Sequence, residues 1–529
     1  MTAMLNKKLV TATAGLAMLL GAAACNSDKL TSLNINPNAP ANVPVTTLFT
    51  SGVAAAAAQW YGWTDYRFGE ILTQQLAEVQ YPDEDRYTRI GGGSTTFYFD
   101  APFIAELEDF QQVIDRGTTA NQPGIYGPAL VMKTWDFGII TDTWGDVPYS
   151  EALAGSPSSP PSTLKPKYDA QKDIYTDFFR ILSKVSTDLE AAKTAANPGD
   201  LGTADLLYSG NLTKWQRFAN SLHARYAMRI VNVDPVTADA ELRKAFTAPG
   251  GVFQSNADNA ELKWPGDGIY NNPWAVNFAS RDDHRISRVL MEPLNTYIDP
   301  RRPIFAMPAA SDGAFRGAPN GITHAKGAAY LSTTSRPGAV FYPGTTAYGY
   351  YGGTGNSFPS FMMSYAEVAF IQAEAAQRGI GGLAGTAASY YNAGIQASMA
   401  QWGVTSTDAT AYLARPGVVY VPATGFAQIA LQKWIALYSD GLQAWAEWRR
   451  TCVPRTVQPG PDASESIVPR RLQYSDTEYS VNATNLDVAA TRIGGDEFQG
   501  RMYWDSNPTA APTYFVGCGV RDVAPQPAP

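Results

Sequence analysis

The sequence predicts a mainly α protein: a tetratricopeptide-like scaffold of helical pairs, with a large loop-rich region and few short strands. Helical periodicity runs through about residues 44–247 and returns over about residues 360–454. Between them, at about residues 248–359, Gly, Pro, Asn and Tyr crowd together and helical patterns stay short. Residues 455–529 are irregular. Helical hairpins without a strict repeat period indicate degenerate pairs of the tetratricopeptide kind.

Three segments of the first helical part have the length and spacing of amphipathic helices. They are residues 126–144, 168–195 and 212–231. In the second segment, apolar residues recur three and four positions apart from Ile174 to Leu189. This spacing places them on one stripe, which we expect to face another helix.

The second helical part contains two further segments. Residues 361–378 carry a face with many small side chains, which permits close helix packing. Residues 426–451 form two pieces around Asp440 and Gly441, and we expect Gly441 to end or bend the first piece.

Composition limits the classes of function. With 45% hydrophobic and 17% charged residues, the 529-residue chain is globular rather than disordered. Its net charge of −8 makes nucleic acid an unfavourable partner, because phosphate binding needs a basic surface. Only three His and three Cys are present, which leaves little material for metal or thiol chemistry. Aromatic residues are the unusual quantity, at 12% of the chain.

The N-terminus has the pattern of an export signal. Lys7 and Lys8 precede an apolar run at residues 9–24, which is too short to cross a bilayer as a helix. Residues 1–24 are therefore predicted to be a signal peptide. The run ends in Ala22-Ala23-Ala24-Cys25, which resembles a bacterial lipobox. We expect Cys25 to be lipidated and residues 25–43 to form a tether; ordinary secretory cleavage beside an incidental cysteine is the alternative.

Aromatic residues gather in three clusters that suggest a ligand site. Sugar rings present apolar faces that stack on Trp and Tyr, while the phenol or indole edge stays free to hydrogen-bond hydroxyls. For any single ring, packing in the core is the competing explanation; for the second and third clusters as groups we favour ligand contact. The candidate binding residues are Trp63, Tyr66 and Tyr81 in the first cluster, Trp264, Tyr270 and Trp274 in the second, and Tyr348, Tyr350 and Tyr351 in the third.

Searches for catalytic signatures give no candidate. Nucleophile-elbow, phosphate-loop, dinucleotide and zinc-protease motifs are missing, so we predict no catalytic residue, metal or cofactor. His223 is expected to pack in a helix, and His284 to lie in a polar loop. Glu367 and Glu374 share a helix face, where salt bridges to Arg217, Arg225 or Arg229 are favoured over an acid–base site. A carboxylate pair for glycoside cleavage stays open, since 48 acidic residues offer many pairings.

Five places in the chain resemble the SusD/RagB family of outer-membrane nutrient-binding lipoproteins. They are the lipobox with Leu33-Asn34-Ile35-Asn36-Pro37-Asn38, Trp144-Gly145-Asp146-Val147-Pro148-Tyr149, Trp215-Gln216-Arg217-Phe218-Ala219-Asn220, Ser364-Tyr365-Ala366-Glu367-Val368, and residues 429–454 with Trp445-Ala446-Glu447-Trp448-Arg449-Arg450. Together they reach from one end of the chain to the other, and the resemblance implies a single SusD-like domain over residues 44–529.

The resemblance also implies a function. Proteins of this family sit at the cell outer membrane, hold nutrient outside the cell and deliver it to a SusC-like TonB-dependent transporter. We therefore expect a surface-exposed, lipid-anchored protein that is not an enzyme and that binds an oligosaccharide or a similar oligomer. A peptide-binding member of the same family and a surface-anchored glycoside hydrolase are the alternatives.

Two cysteines remain after Cys25. Cys452 and Cys518 lie 66 residues apart in a chain expected to be exported to an oxidising environment. They either pair as a disulfide or remain two free thiols, and the sequence favours neither.

Overall fold

A computed structural model describes residues 43–88, 90–154, 164–344, 354–505 and 518–521. The predicted signal peptide, Cys25 and the tether up to residue 42 lie outside the described residues, as do Tyr348, Tyr350 and Tyr351. The unit that begins at Val45 is the one described below.

The first helical part is a series of helices in which chain neighbours pack on each other. Helices α4 to α8 each contact the next along the chain, and α1 packs on α4. Their bounds are α1 (Val45–Trp60), α2 (Glu70–Leu72), α3 (Thr96–Ile104), α4 (Glu106–Thr119), α5 (Pro123–Trp144), α6 (Gln171–Ala192), α7 (Leu212–Arg229) and α8 (Pro235–Thr247), with a π-helical turn at Asp65–Gly69.

The loop-rich region follows and contains only short helices. These are α9 (Pro273–Phe278), α10 (Arg288–Thr296), α11 (Arg302–Phe305) and α12 (His324–Gly327). Short 3₁₀ turns occur at Gly92–Ser94, Gly202–Ala204, Asn256–Asp258, Ala328–Tyr330, Ala339–Phe341, Gly355–Ser357 and Pro422–Thr424.

Six short strands form three antiparallel two-stranded pairs among the described residues. The strands are β1 (Leu76–Glu78), β2 (Val147–Pro148), β3 (Tyr168–Asp169), β4 (Ala260–Leu262), β5 (His284–Ile286) and β6 (Ser360–Met363). β1 pairs with β5, β2 with β3, and β4 with β6. The β1–β5 and β4–β6 pairs join segments that lie far apart in sequence, so they fasten the loop-rich region onto the helical parts, whereas β2 and β3 both belong to the first helical part.

The second helical part returns to paired packing. Its helices are α13 (Tyr365–Arg378), α14 (Ala387–Gln401), α15 (Ser406–Leu413), α16 (Gly425–Ala436) and α17 (Gly441–Thr451), followed by α18 (Asp476–Val481) and α19 (Ala483–Arg492). α13 packs on α14 and α16, and it also contacts α7 of the first part. The mainly α fold of helical pairs with few short strands is therefore confirmed. None of the helices in the described ranges combines the length and apolar character needed to cross a bilayer.

The predicted helices are present, with ends that differ by a few residues. The stripe in α6 is buried from Ile174 to Leu189, as its spacing predicts. The main difference is the C-terminal part, which we expected to be irregular and which contains α18 and α19. Both helices are short, and Leu486 and Ala489 are the buried residues of α19, so they offer little periodicity.

The predicted role of Gly441, to end or bend the first of the two helical pieces, is wrong. α16 already ends at Ala436, and Gly441 is the first residue of α17. A Cβ atom on Gly441 would lie 2.3 Å from the backbone nitrogen of Glu70, and one on Gly69 would lie 2.4 Å from the backbone nitrogen of Leu442. These two glycines therefore let the turn at residues 65–69 touch the start of α17 backbone to backbone.

Buried ion pairs join the two helical parts to each other and join helices within the second part. Arg225 of α7 binds Glu367 of α13 at 2.5 Å, with both side chains buried. Glu374 binds Arg450 of α17 at 2.5 Å, rather than one of the three arginines proposed from the sequence. Arg450 also contacts Glu447. The preference for salt bridging over an acid–base site at the two glutamates is thus confirmed.

Cys452 and Cys518 form a disulfide, with their Cα atoms 5.8 Å apart. The bridge fastens the C-terminal residues 518–521 to the end of α17. Of the two alternatives that the sequence leaves open for these thiols, the structure has the paired one.

Candidate functional site

A cleft of about 1040 Å³ lies between the first helical part and the loop-rich region. Four stretches of chain line it: the end of α1 and the turn that follows, the end of β1, the segment before and within α3, and the segment from Trp264 to His284. The lining residues used below are Trp63, Tyr66, Arg67, Glu78, Tyr81, Phe97, Glu106, Trp264, Ile269, Tyr270, Val276, Asn277, Arg281, Asp283 and His284.

Exposed aromatic rings concentrate in this cleft. The chain has 12 tryptophans, and Trp63 alone is exposed among them, at 54%. Five aromatic side chains are exposed among the described residues. Four of them line the cleft, namely Trp63, Tyr81 (61%), Phe97 (65%) and Tyr270 (59%), whereas Tyr479 does not. Because a folded chain normally buries large rings, this clustering marks the cleft as a contact surface.

The turn after α1 positions the first wall of the cleft. Asp65 accepts hydrogen bonds from the backbone nitrogen of Gly441 at 2.6 Å and from the indole nitrogen of Trp274 at 3.1 Å. One buried carboxyl thus ties the turn that carries Trp63 and Tyr66 to α17 and to α9. Burial raises the pKa of Asp65 to about 7, although its hydrogen bonds act in the opposite direction.

Two arginines orient exposed rings and are themselves paired. The guanidinium of Arg67 lies 4.7 Å from the ring centre of Trp63 and forms an ion pair with Glu84. The guanidinium of Arg281 lies 5.1 Å from the ring centre of Tyr81 and binds Asp283 at 2.6 Å. Each cation therefore has a carboxylate partner within the protein and packs against a ring.

The second wall is a turn that presents Ile269 and Tyr270. The carboxylate of Asp267 accepts hydrogen bonds from the backbone nitrogens of both residues, at 2.9 and 2.8 Å. This local bonding orders the loop without using the two side chains, which remain exposed. Trp264 lies deeper, at 7% exposure, and its indole nitrogen donates to Ser360 at 2.9 Å.

The floor of the cleft contains buried polar groups from β1 and β5. Glu78 and His284 are register partners in this antiparallel pair, and 3.6 Å separates Oε1 of Glu78 from Nε2 of His284. Burial, with Glu84 and Asp85 nearby, raises the pKa of Glu78 well above its usual value. Burial, with Arg67 nearby, lowers the pKa of His284 to about 3. His284 is therefore uncharged at neutral pH, and burial favours the protonated, uncharged form of Glu78.

The structure contradicts the predicted surroundings of His284. We expected a polar loop, because Asp282, Asp283 and Arg285 surround it. The structure instead places it in a buried strand, with its imidazole 5.6 Å from the ring of Tyr66. His223 is buried as expected, and it bonds Glu241 at 2.8 Å.

Five of the six predicted binding residues within the described ranges come together in the cleft. They are Trp63, Tyr66, Tyr81, Trp264 and Tyr270, brought together from two clusters about 200 residues apart. Whether they bind ligand remains a prediction. Of the third cluster, Tyr348, Tyr350 and Tyr351 are outside the described residues.

Trp274 is the sixth, and its predicted contact with ligand is wrong for this structure. Its ring is 2% exposed and packs 4.5 Å from Phe341 and 5.9 Å from Tyr438. Asn272 and Pro273 suggested a loop, but they begin a helix: the Asn272 side chain accepts from the backbone nitrogen of Trp274. Asparagine and proline are typical of helix starts as well as of turns.

Several residues that line the cleft are not among the binding residues predicted from the sequence. Phe97, Val276 and Asn277 line it, and none belongs to the candidate set. Phe97 belongs to three consecutive aromatic residues, 97–99, and a helix cannot bury three successive side chains on one face. That run was the available signal for Phe97; Val276 and Asn277 had none.

Within the described ranges, no group of three or more His, Cys, Asp or Glu is arranged to hold a metal ion. The cleft contains the carboxyls of Glu78, Glu106 and Asp283. Burial raises the pKa of Glu106 to about 7, and Asp283 is paired with Arg281.

Comparison with known proteins gives a consistent family match. Residues 37–475 match the SusD-like_2 family model, whose description is starch-binding associating with outer membrane. No curated protein matches the chain.

Solved structures match over nearly the whole fold. A chitin-binding protein is 25% identical, with a TM-score of 0.75, covering 88% of this chain and 100% of that one. A SusD homologue from Bacteroides uniformis is also 25% identical, with a TM-score of 0.71 and coverage of 88% and 100%. A chitin-binding SusD homologue from Flavobacterium johnsoniae, 24% identical with a TM-score of 0.74, covers 87% of this chain and 99% of its own, and shows the shared fold.

Proposed function

The chain belongs to the SusD-like family, and we propose that it captures an uncharged oligosaccharide in the cleft described above. One observation carries the proposal: of the five aromatic rings exposed among the described residues, four line this cleft, and one of the four is the exposed tryptophan, Trp63. Rings of this kind stack on the apolar faces of sugars. The volume of about 1040 Å³ is at the upper end for small-ligand sites, which favours an oligomer.

The charges in the cleft favour an uncharged ligand. Arg67 is paired with Glu84 and Arg281 with Asp283, so the positive charge of each is balanced by a carboxylate within the protein. The chitin-binding relative at 25% identity binds a neutral polymer, which supports the same class of ligand here.

The family-level inference is a binding protein rather than an enzyme. Glycoside cleavage needs one protonated and one ionised carboxyl on either side of the scissile bond. In the cleft, burial raises the pKa of Glu78 and of Glu106, and Asp283 is engaged by Arg281. We propose that these carboxyls do not cleave the ligand, which stays intact in the cleft.

At the membrane, the family description of association with the outer membrane supports the rest of the proposal. Cys25 is lipidated and anchors the protein at the cell surface, with residues 25–43 as the tether. The bound oligosaccharide then passes to a SusC-like TonB-dependent transporter.

The binding proposal is tested by titration calorimetry of the unaltered protein with chitohexaose, cellohexaose and maltohexaose, alongside a peptide library. We expect at least one hexaose to bind and to be recovered intact by chromatography after long incubation. Binding of peptides alone would support the peptide-binding alternative. Cleavage at a rate proportional to protein concentration would instead support the hydrolase.

The anchor is tested separately with the full chain and its Cys25→Ser variant, both expressed in a bacterium that lipidates exported proteins. We expect the unaltered protein to stay with membranes through a carbonate wash and the variant to become soluble. Equal membrane recovery of the two proteins would contradict lipidation at Cys25.

A further inference from the structure

Three polar side chains that line the cleft have buried atoms without a hydrogen-bond partner of normal geometry in the described part of the chain. The atoms are the hydroxyl of Tyr66, the amide nitrogen of Asn277 and the ring nitrogens of His284, which approach the backbone of Tyr66 and, at 3.6 Å from Nε2, the carboxyl of Glu78 without a hydrogen bond of normal geometry. Tyr66 and His284 are more than nine-tenths buried. Buried polar groups in proteins are nearly always hydrogen-bonded, and leaving one unpaired is unfavourable. We call these three residues the polar floor.

Aromatic packing fixes the polar floor in place. The rings of Tyr66 and His284 meet edge to face with their centres 5.6 Å apart. Phe278, the neighbour of Asn277 in α9, lies 5.8 Å from His284 and 6.2 Å from Tyr66. The unpaired groups are therefore held by a rigid cluster rather than by side chains that could turn to find partners.

The chemistry of the polar floor is uncharged and offers both donors and acceptors. A neutral imidazole has one donor and one acceptor nitrogen, a phenol hydroxyl can do both, and the amide nitrogen of Asn277 donates. Burial, with Arg67 nearby, lowers the pKa of His284 to about 3, so the ring stays neutral.

The charged groups around His284 are already engaged. Arg67 faces it from the turn after α1, Arg281 from the loop before β5, and Arg285 from β5 itself. They bind Glu84, Asp283 and Asp282 respectively. Glu78 of β1 faces the imidazole, and burial raises the pKa of its carboxyl. A charged ligand group would therefore be desolvated here without an opposite charge to compensate it.

We propose that the polar floor is a specificity subsite, which hydrogen-bonds one uncharged substituent of the ligand that both donates and accepts: a hydroxyl or an acetamido group. The inference rests on the proposed function, and it adds which residues select the ligand and which substituent they read. Carboxylate, sulfate and ammonium substituents at this position are excluded.

The test uses Tyr66→Phe, which removes the unpaired hydroxyl and keeps the ring. Binding of chitohexaose, cellohexaose and maltohexaose is measured by calorimetry, and thermal stability by calorimetric unfolding. We expect binding about two- to ten-fold weaker than that of the unaltered protein, the range for one lost hydrogen bond. Thermal stability should be unchanged or higher, because the hydroxyl has no partner in the protein.

Asn277→Asp is a second variant, because it keeps the shape of the side chain and replaces the donor nitrogen with a charged acceptor. We expect at least the same loss of affinity. Tyr87→Phe is the matched control: Tyr87 is also buried but does not line the cleft, and its variant should bind like the unaltered protein.

Comparing two of the ligands shows which substituent, hydroxyl or acetamido, the polar floor binds. Chitohexaose and cellohexaose share a β-linked backbone and differ at the C2 substituent, which is acetamido in the first and hydroxyl in the second. Loss of affinity for chitohexaose alone would assign the acetamido group, and equal loss for both would assign a shared hydroxyl. Either result supports the polar floor.

The outcomes that overturn the inference are distinct from failure of the proposed function. If Tyr66→Phe and Asn277→Asp bind as tightly as the unaltered protein, or if Tyr87→Phe weakens binding equally, the polar floor reads no substituent. If the unaltered protein binds none of the three hexaoses, the proposed function itself fails.

Discussion

The same pair of residue types, a tryptophan beneath an arginine, occurs in two regions with opposite consequences. In α17, the guanidinium of Arg449 lies 3.6 Å from the ring centre of Trp445, and both side chains are buried. In the cleft, Arg67 lies 4.7 Å from Trp63, whose ring is 54% exposed. One pair is part of the core, and the other borders solvent.

The two regions differ in how far the protein itself covers the tryptophan ring and bonds the polar groups beside it. Arg449 donates to the backbone carbonyls of Asp142 and Arg470, and the indole nitrogen of Trp445 donates to Pro469. The cleft instead leaves four aromatic rings exposed to solvent, whereas buried polar atoms without a hydrogen-bond partner occur in both regions. In a stable core the side chains contact one another, whereas a binding surface leaves side chains exposed for contact with its ligand. Changes in α17 should therefore alter stability, and changes in the cleft should alter binding.

The largest expected effect is in the closed region, at Arg450. Its guanidinium binds Glu374 and Glu447, and all three side chains are buried. Arg450→Met would leave two buried carboxylates without this cation, so we expect a loss of about 3–5 kcal/mol in the free energy of unfolding. Urea denaturation measures it. The control is Arg316→Met, which breaks an exposed pair with Asp312 and should leave the free energy of unfolding almost unchanged.

Trp274 tests where the core ends and the cleft begins, because its ring lies next to the cleft but is buried in the core. Trp274→Ala should lower the free energy of unfolding by about 3–5 kcal/mol, since a large buried ring is removed. Urea denaturation checks the value. A loss of ligand affinity with unchanged stability would contradict the placement of this ring in the core.

Much of the fold could be predicted from the sequence because its signals are local. The buried stripe of α6 is visible as spacing alone, and the turn after α5 is visible in Gly145 and Pro148. α18 and α19 could not be found in this way, because they are short and few of their side chains are buried. Gly441 was recognised as special, but the reason lies in Gly69, 372 positions earlier in the chain.

The sequence indicated which aromatic residues could bind a ligand, but it did not indicate where each of them lies in the fold. Tyr270 stood out because aromatics among Gly, Pro and Asn have no helix face to bury them, whereas for Trp63 packing against a helix was the competing explanation. The difference between Tyr270 and Trp274, only four positions apart, depends on Asp65 and Phe341, which no local pattern identifies. Of the polar floor, Tyr66 was among the predicted residues, whereas Asn277 and His284 were not: His284 acquires its character from pairing with Glu78.

A pH dependence connects the two regions through Asp65, which bonds both α17 and Trp274. Burial raises its pKa to about 7, above the value of 3.8 for an exposed carboxyl. Between these values the folded state holds a proton that the unfolded chain has lost, so its contribution to stability falls as pH rises from about 4 to 7.

Asp65→Asn should remove that part of the pH dependence and keep an acceptor oxygen. We expect the variant to gain about 3 kcal/mol relative to the unaltered protein between pH 4.5 and pH 8, because a buried ionised carboxyl is no longer formed. Urea denaturation at both pH values checks this. A difference that is the same at the two pH values would show that Asp65 does not titrate in this range.

The smallest expected change in free energy, at Trp63, tests the central claim most directly. We expect Trp63→Ala to weaken binding of the best hexaose by about 0.5–1.5 kcal/mol in calorimetry, with a melting temperature close to that of the unaltered protein. Tyr479→Ala, which removes an exposed ring outside the cleft, should bind normally. If Trp63→Ala binds as tightly as Tyr479→Ala and the unaltered protein, the cleft is not the site of oligosaccharide capture.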